Sequence, residues 1–141
     1  MRGPPRDLRI LLIEDDEVDV LCIERHFGRK PGRQLVVVNN AQDGLQLLRD
    51  WQRAGVTPTV VLLDLNLPQM SGIEFLDQLR SEAALASSIV FVITTSTDPR
   101  DISAAWERNV SGYIAKCRAE EFEQKLSHLD HYLSSLELPC G

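Results

Sequence analysis

Short apolar runs alternate with longer amphipathic stretches along this chain. Five runs have strand-like length and composition, at residues 8–13, 34–38, 59–63, 89–94 and 111–116. The first, third and fourth runs are almost wholly apolar, which is typical of central strands that helices cover on both faces. The second opens with Gln34, and the fifth contains Ser111, Tyr113 and Lys116, which favours edge positions. The alternation predicts an α/β fold in which βα units surround a parallel sheet.

Helix-length stretches fit between these runs and after the last one. The first covers about residues 17–27, and the second follows Asn40, whose side chain is a suitable N-cap. The third begins at Ser71 or the glycine after it, and the fourth begins with Asp98 as N-cap and Pro99 in the first helical position. In the fifth, apolar residues recur with alternating spacings of four and three, which predicts one buried stripe. The stripe comprises Phe122, Leu126, Leu129, Leu133 and Leu136.

The length of the chain, 141 residues, predicts one domain with a full-sized hydrophobic core. We expect this domain to span residues 8–137. Residues 1–7 contain no apolar signal core and are expected to form a short mobile arm. Residues 138–141 are expected to form a C-terminal tail.

Charge and cysteine content narrow the classes of function. The net charge of −6 and the lack of a Lys/Arg run argue against binding to nucleic acid. No apolar stretch approaches the roughly 20 residues of a membrane span, so no membrane association is expected. Cys22, Cys117 and Cys140 have no metal-ligand spacing. An odd number of cysteines without a secretion signal predicts reduced thiols and a cytoplasmic protein.

Chemically active side chains lie at the ends of four predicted strands. Glu14 and Asp15 follow the first, Asp64 follows the third, and Thr94 and Lys116 close the fourth and fifth. Because the carboxyl ends of parallel strands share one edge of the sheet, we expect these side chains to meet there. Packed carboxylates repel each other, so such a pocket needs a cation, a shared proton or a basic neighbour. Singly, each residue has a structural explanation as a cap, turn, strand end or surface lysine, whereas together they favour a site.

With these residues in this order, the sequence from about Leu8 to Leu136 resembles the receiver domain of two-component response regulators. The resemblance implies a flavodoxin-like (βα)5 fold, a doubly wound parallel sheet with strand order 2-1-3-4-5. The stretch ILLIEDDEVDV and the Thr-Thr-Ser sequence after the fourth strand are similar to stand-alone, single-domain regulators that pair with phytochrome-type histidine kinases.

The resemblance assigns the acidic residues to phosphoryl transfer. Asp64 would be the phosphoacceptor, and its carboxylate oxygen would attack the phosphorus of a phosphohistidine. Asp15 would bind a divalent cation directly, and Glu14 would do so directly or through water. Asp64 and the backbone carbonyl of Asn66 would complete the protein ligands. Oxygen ligands with retained waters suit Mg²⁺, which would neutralise the phosphate and the carboxylates together.

The resemblance also assigns the remaining strand-end residues. Lys116 would pair with the phosphoryl group as a point charge, and Thr94 would donate its hydroxyl to a phosphoryl oxygen. Tyr113 would change its rotamer when Thr94 moves to make this hydrogen bond. The expected phosphoryl donor is a sensor histidine kinase or a histidine phosphotransfer protein. The protein would therefore not be an enzyme but a phosphoacceptor that assists its own phosphorylation and dephosphorylation.

The face formed by the fourth helix, fifth strand and fifth helix is expected to transmit the signal. Ile102 and Trp106 are four residues apart and share one side of the fourth helix, while Ala105 can fill the side that faces the core. An exposed Trp106 beside Tyr113 would form an apolar patch, and such patches mark interfaces with a second copy or a downstream protein. The alternative is that Trp106 is buried in the core.

Other functions fit the residues less well. A haloacid-dehalogenase-like phosphatase needs a second aspartate two residues after the nucleophile as general acid/base, and Asn66 occupies that position. A flavodoxin-type cofactor binder needs a Ser/Thr/Gly loop after the first strand, where residues 14–16 are acidic. The remaining alternative is a non-phosphorylated, receiver-like binding module, although none of the site residues of the family is missing.

Two positions depart from the pattern of the family. The residue after the lysine is usually proline, often with a cis peptide, and here it is Cys117. A trans peptide is therefore expected, because a cis bond before a non-proline residue costs about 2.5–4 kcal/mol. The residue after the switch threonine is often small, and Thr95 is slightly larger, which could narrow access to Asp64.

Overall fold

The computed structural model describes residues 8–28, 30–56 and 59–135. Its strands are β1 (Leu8–Ile13), β2 (Arg33–Val38), β3 (Thr59–Leu63), β4 (Ile89–Thr94) and β5 (Gly112–Ala115). Its helices are α1 (Glu17–Phe27), α2 (Ala41–Arg53), α3 (Gly72–Ser81), α4 (Pro99–Glu107) and α5 (Ala119–Ser135). The predicted arm at 1–7, the predicted tail at 138–141 and the stripe residue Leu136 lie outside the described residues.

The strands form one parallel sheet in the order β2-β1-β3-β4-β5, which confirms the predicted flavodoxin-like topology. The predicted edge strands, β2 and β5, lie at the two edges. β2 begins one residue earlier than predicted, at Arg33, and β5 is shorter than predicted at both ends. Lys116 therefore follows the last strand instead of belonging to it.

The sheet separates two apolar cores, because alternate residues of a strand face opposite sides. On one side Leu11 and Ile13 of β1 pack against residues of α2, α3 and α4. On the other side Ile10 and Leu12 pack against residues of α1 and α5. Burying a large apolar side chain contributes about 1.5–3 kcal/mol before chain entropy is counted. The predicted stripe of α5 is buried at its four described positions, Phe122, Leu126, Leu129 and Leu133.

Side-chain caps determine where the first four helices begin. The carboxylate of Asp16 accepts hydrogen bonds from the backbone of the first turn of α1. Asn40, Ser71 and Asp98 cap α2, α3 and α4 in the same way. Asn40 and Asp98 are the predicted caps, and Ser71 is one of the two predicted starts of the third helix. Because Asp16 provides the cap of α1, the preceding acidic residues are free for another role. None of the helices within the described part of the chain is long and apolar enough to cross a membrane.

Candidate functional site

Four strand ends converge at the carboxyl edge of the sheet. Glu14 directly follows β1, Asp64 directly follows β3, Thr94 ends β4 and Lys116 directly follows β5. Backbone bonds continue past the strands, since the Asp64 N–H donates to the Ile13 carbonyl at 3.1 Å and the Lys116 N–H donates to the Thr94 carbonyl at 2.7 Å. These bonds hold the active side chains on rigid elements, which is the arrangement that precise chemistry requires.

The ammonium of Lys116 lies among three carboxylates. It donates hydrogen bonds to Glu14 Oε1 and, at 2.8 Å, to Asp19 Oδ2. Its Nζ is 3.8 Å from Asp64 Oδ2, which is an ion pair without a hydrogen bond. Burial disfavours the charged ammonium, but the hydrogen bonds to Asp19 and Glu14 outweigh it and raise the pKa of Lys116 above its ordinary value. The lysine therefore supplies a permanent positive charge.

Glu14 and Asp64 are buried carboxylates, with side chains 1% and 7% exposed. Burial is the main cause that raises the pKa of Glu14, the neighbouring Asp64 carboxyl adds to it, and Lys116 opposes it. The backbone N–H groups of Asp15 and Asp16 donate to Glu14 Oε2 at 3.1 and 3.3 Å. The pocket thus holds more carboxylates than one lysine can neutralise, a situation that a divalent cation relieves.

Glu14, Asp15 and Asp64 form a candidate cation site. Each offers a carboxylate oxygen, and these atoms lie within 4.8 Å of one another. Glu14 and Asp64 are buried while Asp15 is exposed, so the cluster is open to solvent on the Asp15 side. An all-oxygen donor set with an open side fits a hard cation that keeps several waters, such as Mg²⁺ or Mn²⁺.

Asn66 lies at the exposed rim of the pocket. Its backbone N–H donates to Asp64 Oδ1 at 3.2 Å, and its side-chain amide donates to Thr95 Oγ1 at 3.2 Å. The amide therefore connects the loop after β3 to the loop after β4 across the mouth of the pocket. The role of the Asn66 carbonyl as a cation ligand stays a prediction.

Thr94 and Tyr113 meet the same short loop. Thr94 is fully buried, and its Oγ1 accepts a hydrogen bond of 3.4 Å from the backbone N–H of Ser96. The hydroxyl of Tyr113 donates to the Ser96 carbonyl at 2.9 Å, and the Ser96 hydroxyl donates to Asp101 of α4 at 2.6 Å. A shift of this loop at Thr94 would therefore reach both Tyr113 and the first turn of α4.

The structure decides between the two positions that the sequence left open for Trp106 of α4, exposed or buried in the core. Ala105 is fully buried, whereas Trp106 is 49% exposed, which excludes the alternative of a core tryptophan. Ile102 and Tyr113 are partly buried. The exposed indole leaves an apolar surface at this face of the described molecule, and its use as an interface stays a prediction.

Asp19 is a member of the pocket that was not predicted from the sequence. Asp19 lies in the first turn of α1, where an acidic residue is favoured by the helix dipole and needs no further explanation. Its carboxylate also accepts a hydrogen bond from Lys116, which follows β5, an edge strand of the sheet. Its position within one turn of the acidic segment after β1 was the available signal.

Cys117 directly follows Lys116, at the position where the resemblance described above implies a proline. Its backbone N–H donates to the Ala115 carbonyl at 3.0 Å, a bond that proline could not make. Its thiol is exposed and lies 3.0 Å from Glu121 Oε2. The residue thus has its own local contacts just outside the pocket.

The chain matches the response regulator receiver domain family over residues 10–127 and belongs to that family. Receiver domains are generally signalling modules of two-component systems. The fold and the strand-end cluster described above agree with this assignment.

Individual relatives and solved structures give the same assignment. The response regulator Rcp1 of Synechocystis sp. is 31% identical over 147 residues, covering 99% of this chain and 97% of Rcp1. The probable methanogenesis regulatory protein FilR2 of Methanothrix harundinacea is 32% identical over 127 residues, covering 87% of this chain and 81% of FilR2. The structure of the phosphorylated cyanobacterial phytochrome response regulator RcpA has a TM-score of 0.84 at 28% identity, covering 94% of this chain and 99% of RcpA. The structure of Mn²⁺-bound Rcp1 has a TM-score of 0.82 at 26% identity, with the same coverage of both chains.

Proposed function

We propose that this protein is a response regulator that accepts a phosphoryl group on Asp64 and signals by protein contact. The observation that carries the proposal is the position of Asp64. Its buried carboxylate lies 3.8 Å from the Lys116 ammonium and belongs to the cluster of carboxylate oxygens that fits a divalent cation. A carboxylate between two positive charges is suited to receive a phosphoryl group, whose transfer depends mainly on positioning and charge neutralisation.

The donor we propose is a phosphohistidine on a histidine kinase or a histidine phosphotransfer protein. A carboxylate oxygen of Asp64 forms the new bond to phosphorus, and the bond from phosphorus to the imidazole nitrogen breaks. The electron pair of that bond leaves with the imidazole, which takes up a proton. Lys116 balances the charge of the phosphoryl oxygens, and Thr94 donates its hydroxyl to one of them.

Glu14, Asp15, Asp64 and the carbonyl of Asn66 would hold the cation, for which we propose Mg²⁺. The oxygen-only donor set supports this choice, and the Mn²⁺-bound form of Rcp1 gives a precedent in a relative. When bound, the cation would neutralise charge on the phosphoryl oxygens. Asp15 is the exposed member of the cluster, so it would meet the hydrated ion first.

We propose that Thr94 and Tyr113 relay the state of Asp64 to the face formed by α4, β5 and α5. Their shared contact with Ser96 supports this, because a phosphoryl group that draws the Thr94 hydroxyl inward would pull on the same loop. Ile102, Trp106 and Tyr113 would then contact a second copy of the chain or a downstream protein. The half-exposed Trp106 is the feature that favours an interface at this face.

Replacing the acceptor tests the central step. We expect Asp64→Asn to abolish labelling by a phosphorylated kinase or by acetyl phosphate with Mg²⁺, because the amide has no nucleophilic oxygen of comparable strength. Asp50→Asn is the matched control, since Asp50 is exposed and lies on α2. Phosphate incorporation should be normal in that control.

Stable, full labelling of the Asp64→Asn variant would show that another residue is the acceptor. If the wild-type protein shows neither labelling nor any response to beryllium fluoride, the non-phosphorylated binding module becomes the better description.

A further inference from the structure

Asp19 is the least expected neighbour of the charged pocket at the carboxyl edge of the sheet, and its contact with Lys116 is specific. Its Oδ2 accepts a hydrogen bond of 2.8 Å from Lys116 Nζ, although the two residues are 97 positions apart in the chain. The side chain of Lys116 is 6% exposed and that of Asp19 is 27% exposed. Because both side chains are largely shielded from water, dissolved salt screens this ion pair less than it screens a pair on the surface.

The helix dipole does not explain this contact. Glu17 and Asp19 are both acidic residues in the first turn of α1, so both benefit from the dipole. Glu17 is exposed and has no hydrogen bond to its carboxylate within the described residues. Of the two residues, only Asp19 extends towards the pocket, where it accepts a hydrogen bond from one of the three N–H groups of the Lys116 ammonium.

We propose that Asp19 is a positioning residue that keeps Lys116 outside hydrogen-bonding distance of Asp64 until a phosphoryl group arrives. The ammonium donates to Asp19 and Glu14, and its distance of 3.8 Å to Asp64 is too long for a hydrogen bond. This inference rests on the proposed phosphorylation of Asp64. A phosphoryl group carries more negative charge than a carboxylate, so it would draw the ammonium from Asp19.

Two opposite effects on ligands follow from this arrangement. Without the Asp19 charge, Glu14 alone accepts a hydrogen bond from Lys116, so the ammonium pairs more readily with an anionic phosphoryl group and that group should bind more tightly. The same change removes a negative charge and lets Lys116 compete with a cation for Glu14 and Asp64, so a divalent cation should bind more weakly. A merely structural role for Asp19 would weaken both ligands or neither.

The test compares Asp19→Asn with Glu17→Gln, which removes one negative charge from the same helical turn without touching Lys116. At saturating Mg²⁺, fluorine NMR titration should show beryllium fluoride binding about three- to tenfold more tightly to Asp19→Asn than to wild type. Calorimetry with Mg²⁺ alone should show weaker cation binding. Glu17→Gln should stay within about twofold of wild type for both ligands, because an exposed charge is strongly screened.

Two further variants keep the test decisive. Asp19→Glu keeps the charge and should restore values within about twofold of wild type. If Asp19→Asn loses cooperative unfolding, Asp19→Ser replaces it as the neutral variant. In a Lys116→Met background, the difference between Asp19→Asn and Glu17→Gln should disappear, because the effect of Asp19 acts through the ammonium.

The outcomes separate this inference from the function on which it rests. Equal affinities for Asp19→Asn and Glu17→Gln, with normal beryllium fluoride binding to the wild type, would overturn the role of Asp19 alone. A difference that persists without Lys116 would overturn it as well. Failure of the wild type to bind beryllium fluoride would overturn the proposed phosphorylation, and the role of Asp19 with it.

Discussion

At the scale of single residues, neighbouring acids along the chain have different environments. Glu14 is buried against Lys116, Asp15 is exposed and Asp16 caps α1. One short turn therefore supplies a partner for the lysine, an open cation ligand and a helix cap. The difference arises because successive residues of a turn point in different directions, so each meets a different part of the fold.

The cation site leads to a prediction about Asp15. Mg²⁺ at about 100 times its Kd should raise the free energy of unfolding of the wild type by about 2.7 kcal/mol, because it binds the folded state only. Asp15→Ala removes one ligand and one charge, so the same Mg²⁺ concentration should raise its stability much less. Urea unfolding with and without Mg²⁺ measures both values, and Glu17→Gln should behave as the wild type. Equal stabilisation of the wild type and Asp15→Ala would contradict the assignment of Asp15.

At the scale of elements, the loop after β3 depends on close contact with the start of α3. A Cβ on Gly72 would lie 2.6 Å from the Asp64 carbonyl oxygen and 2.6 Å from Leu65 Cα. The Gly72 N–H also donates to the Leu65 carbonyl at 3.0 Å. The helix can approach this loop only because residue 72 has no side chain. The position of Asp64 is thus determined partly by a helix that contributes no side chain to the pocket.

We therefore expect Gly72→Ala to lower both stability and phosphorylation. Overpacking of this kind costs about 1–3 kcal/mol, and the loop must shift to relieve it. Gly55→Ala is a matched control, because Gly55 has a positive φ of 71° but open space around it. That change should cost about 1–2 kcal/mol through backbone strain and leave the rate of labelling unchanged. Normal labelling of a destabilised Gly72→Ala would show that the loop does not set the position of Asp64.

A second contact between elements joins α5 to β2. The carboxylate of Asp130 accepts hydrogen bonds from Lys30 and Arg33, and Arg33 also donates to the Asp130 carbonyl at 3.0 Å. Burial acts to raise the pKa of Asp130, but the hydrogen bonds from the two basic residues outweigh it and lower the pKa below its ordinary value. A carboxyl whose pKa is lower in the folded state stabilises the fold when it is ionised.

This contact predicts a pH-dependent effect of Asp130→Asn. Near neutral pH the variant should be less stable by about 1–3 kcal/mol, because the change removes the charged partner of the nearly buried Arg33 side chain. The stabilisation from Asp130 is fully present above the pKa of about 3.9 of an unfolded aspartate and is lost as the pH falls through the lower folded value. Urea unfolding at pH 7 and at acid pH should show the difference between variant and wild type shrinking. A difference that is constant or that grows in acid would contradict the direction of the shift.

At the scale of the whole molecule, one face combines the relay with exposed apolar surface. Tyr113 contacts the loop that Thr94 also contacts, and Trp106 is half exposed on the adjoining helix. The remaining described large apolar residues with high exposure are Val18, Leu21 and Tyr132. Of these four residues, only Trp106 lies on a helix that is hydrogen-bonded to the loop after Thr94. That bond runs from the Ser96 hydroxyl to Asp101 of α4.

We expect Trp106→Glu to change assembly without changing phosphorylation. The indole is half exposed, so a charged replacement should fold, and a charge at the centre of an apolar interface should disrupt it. Sedimentation should show a wild-type dimer and a monomeric variant, with normal labelling of Asp64 in both. A wild type that is monomeric before and after phosphorylation would exclude the dimer and leave only docking of a downstream protein.

The sequence by itself determined the order of the elements, the caps of α2 and α4 and the separation of central from edge strands. These features depend on local chemistry and on hydrophobic period, which a chain carries independently of its final packing. Asp64, Thr94 and Lys116 could also be recognised, because a parallel sheet brings the carboxyl ends of its strands to one edge.

Only the tertiary structure decided which charged groups meet and which side chains remain exposed. The position of Asp19 near the acidic segment after β1 hints at its place in the pocket, but its contact with Lys116 is not predictable, since α1 and the end of β5 come together only when the sheet is assembled. The burial of Glu14 beside an exposed Asp15 and the exposure of Trp106 likewise depend on distant neighbours. Local patterns specify elements, whereas the pairing of side chains from separate elements depends on how those elements pack.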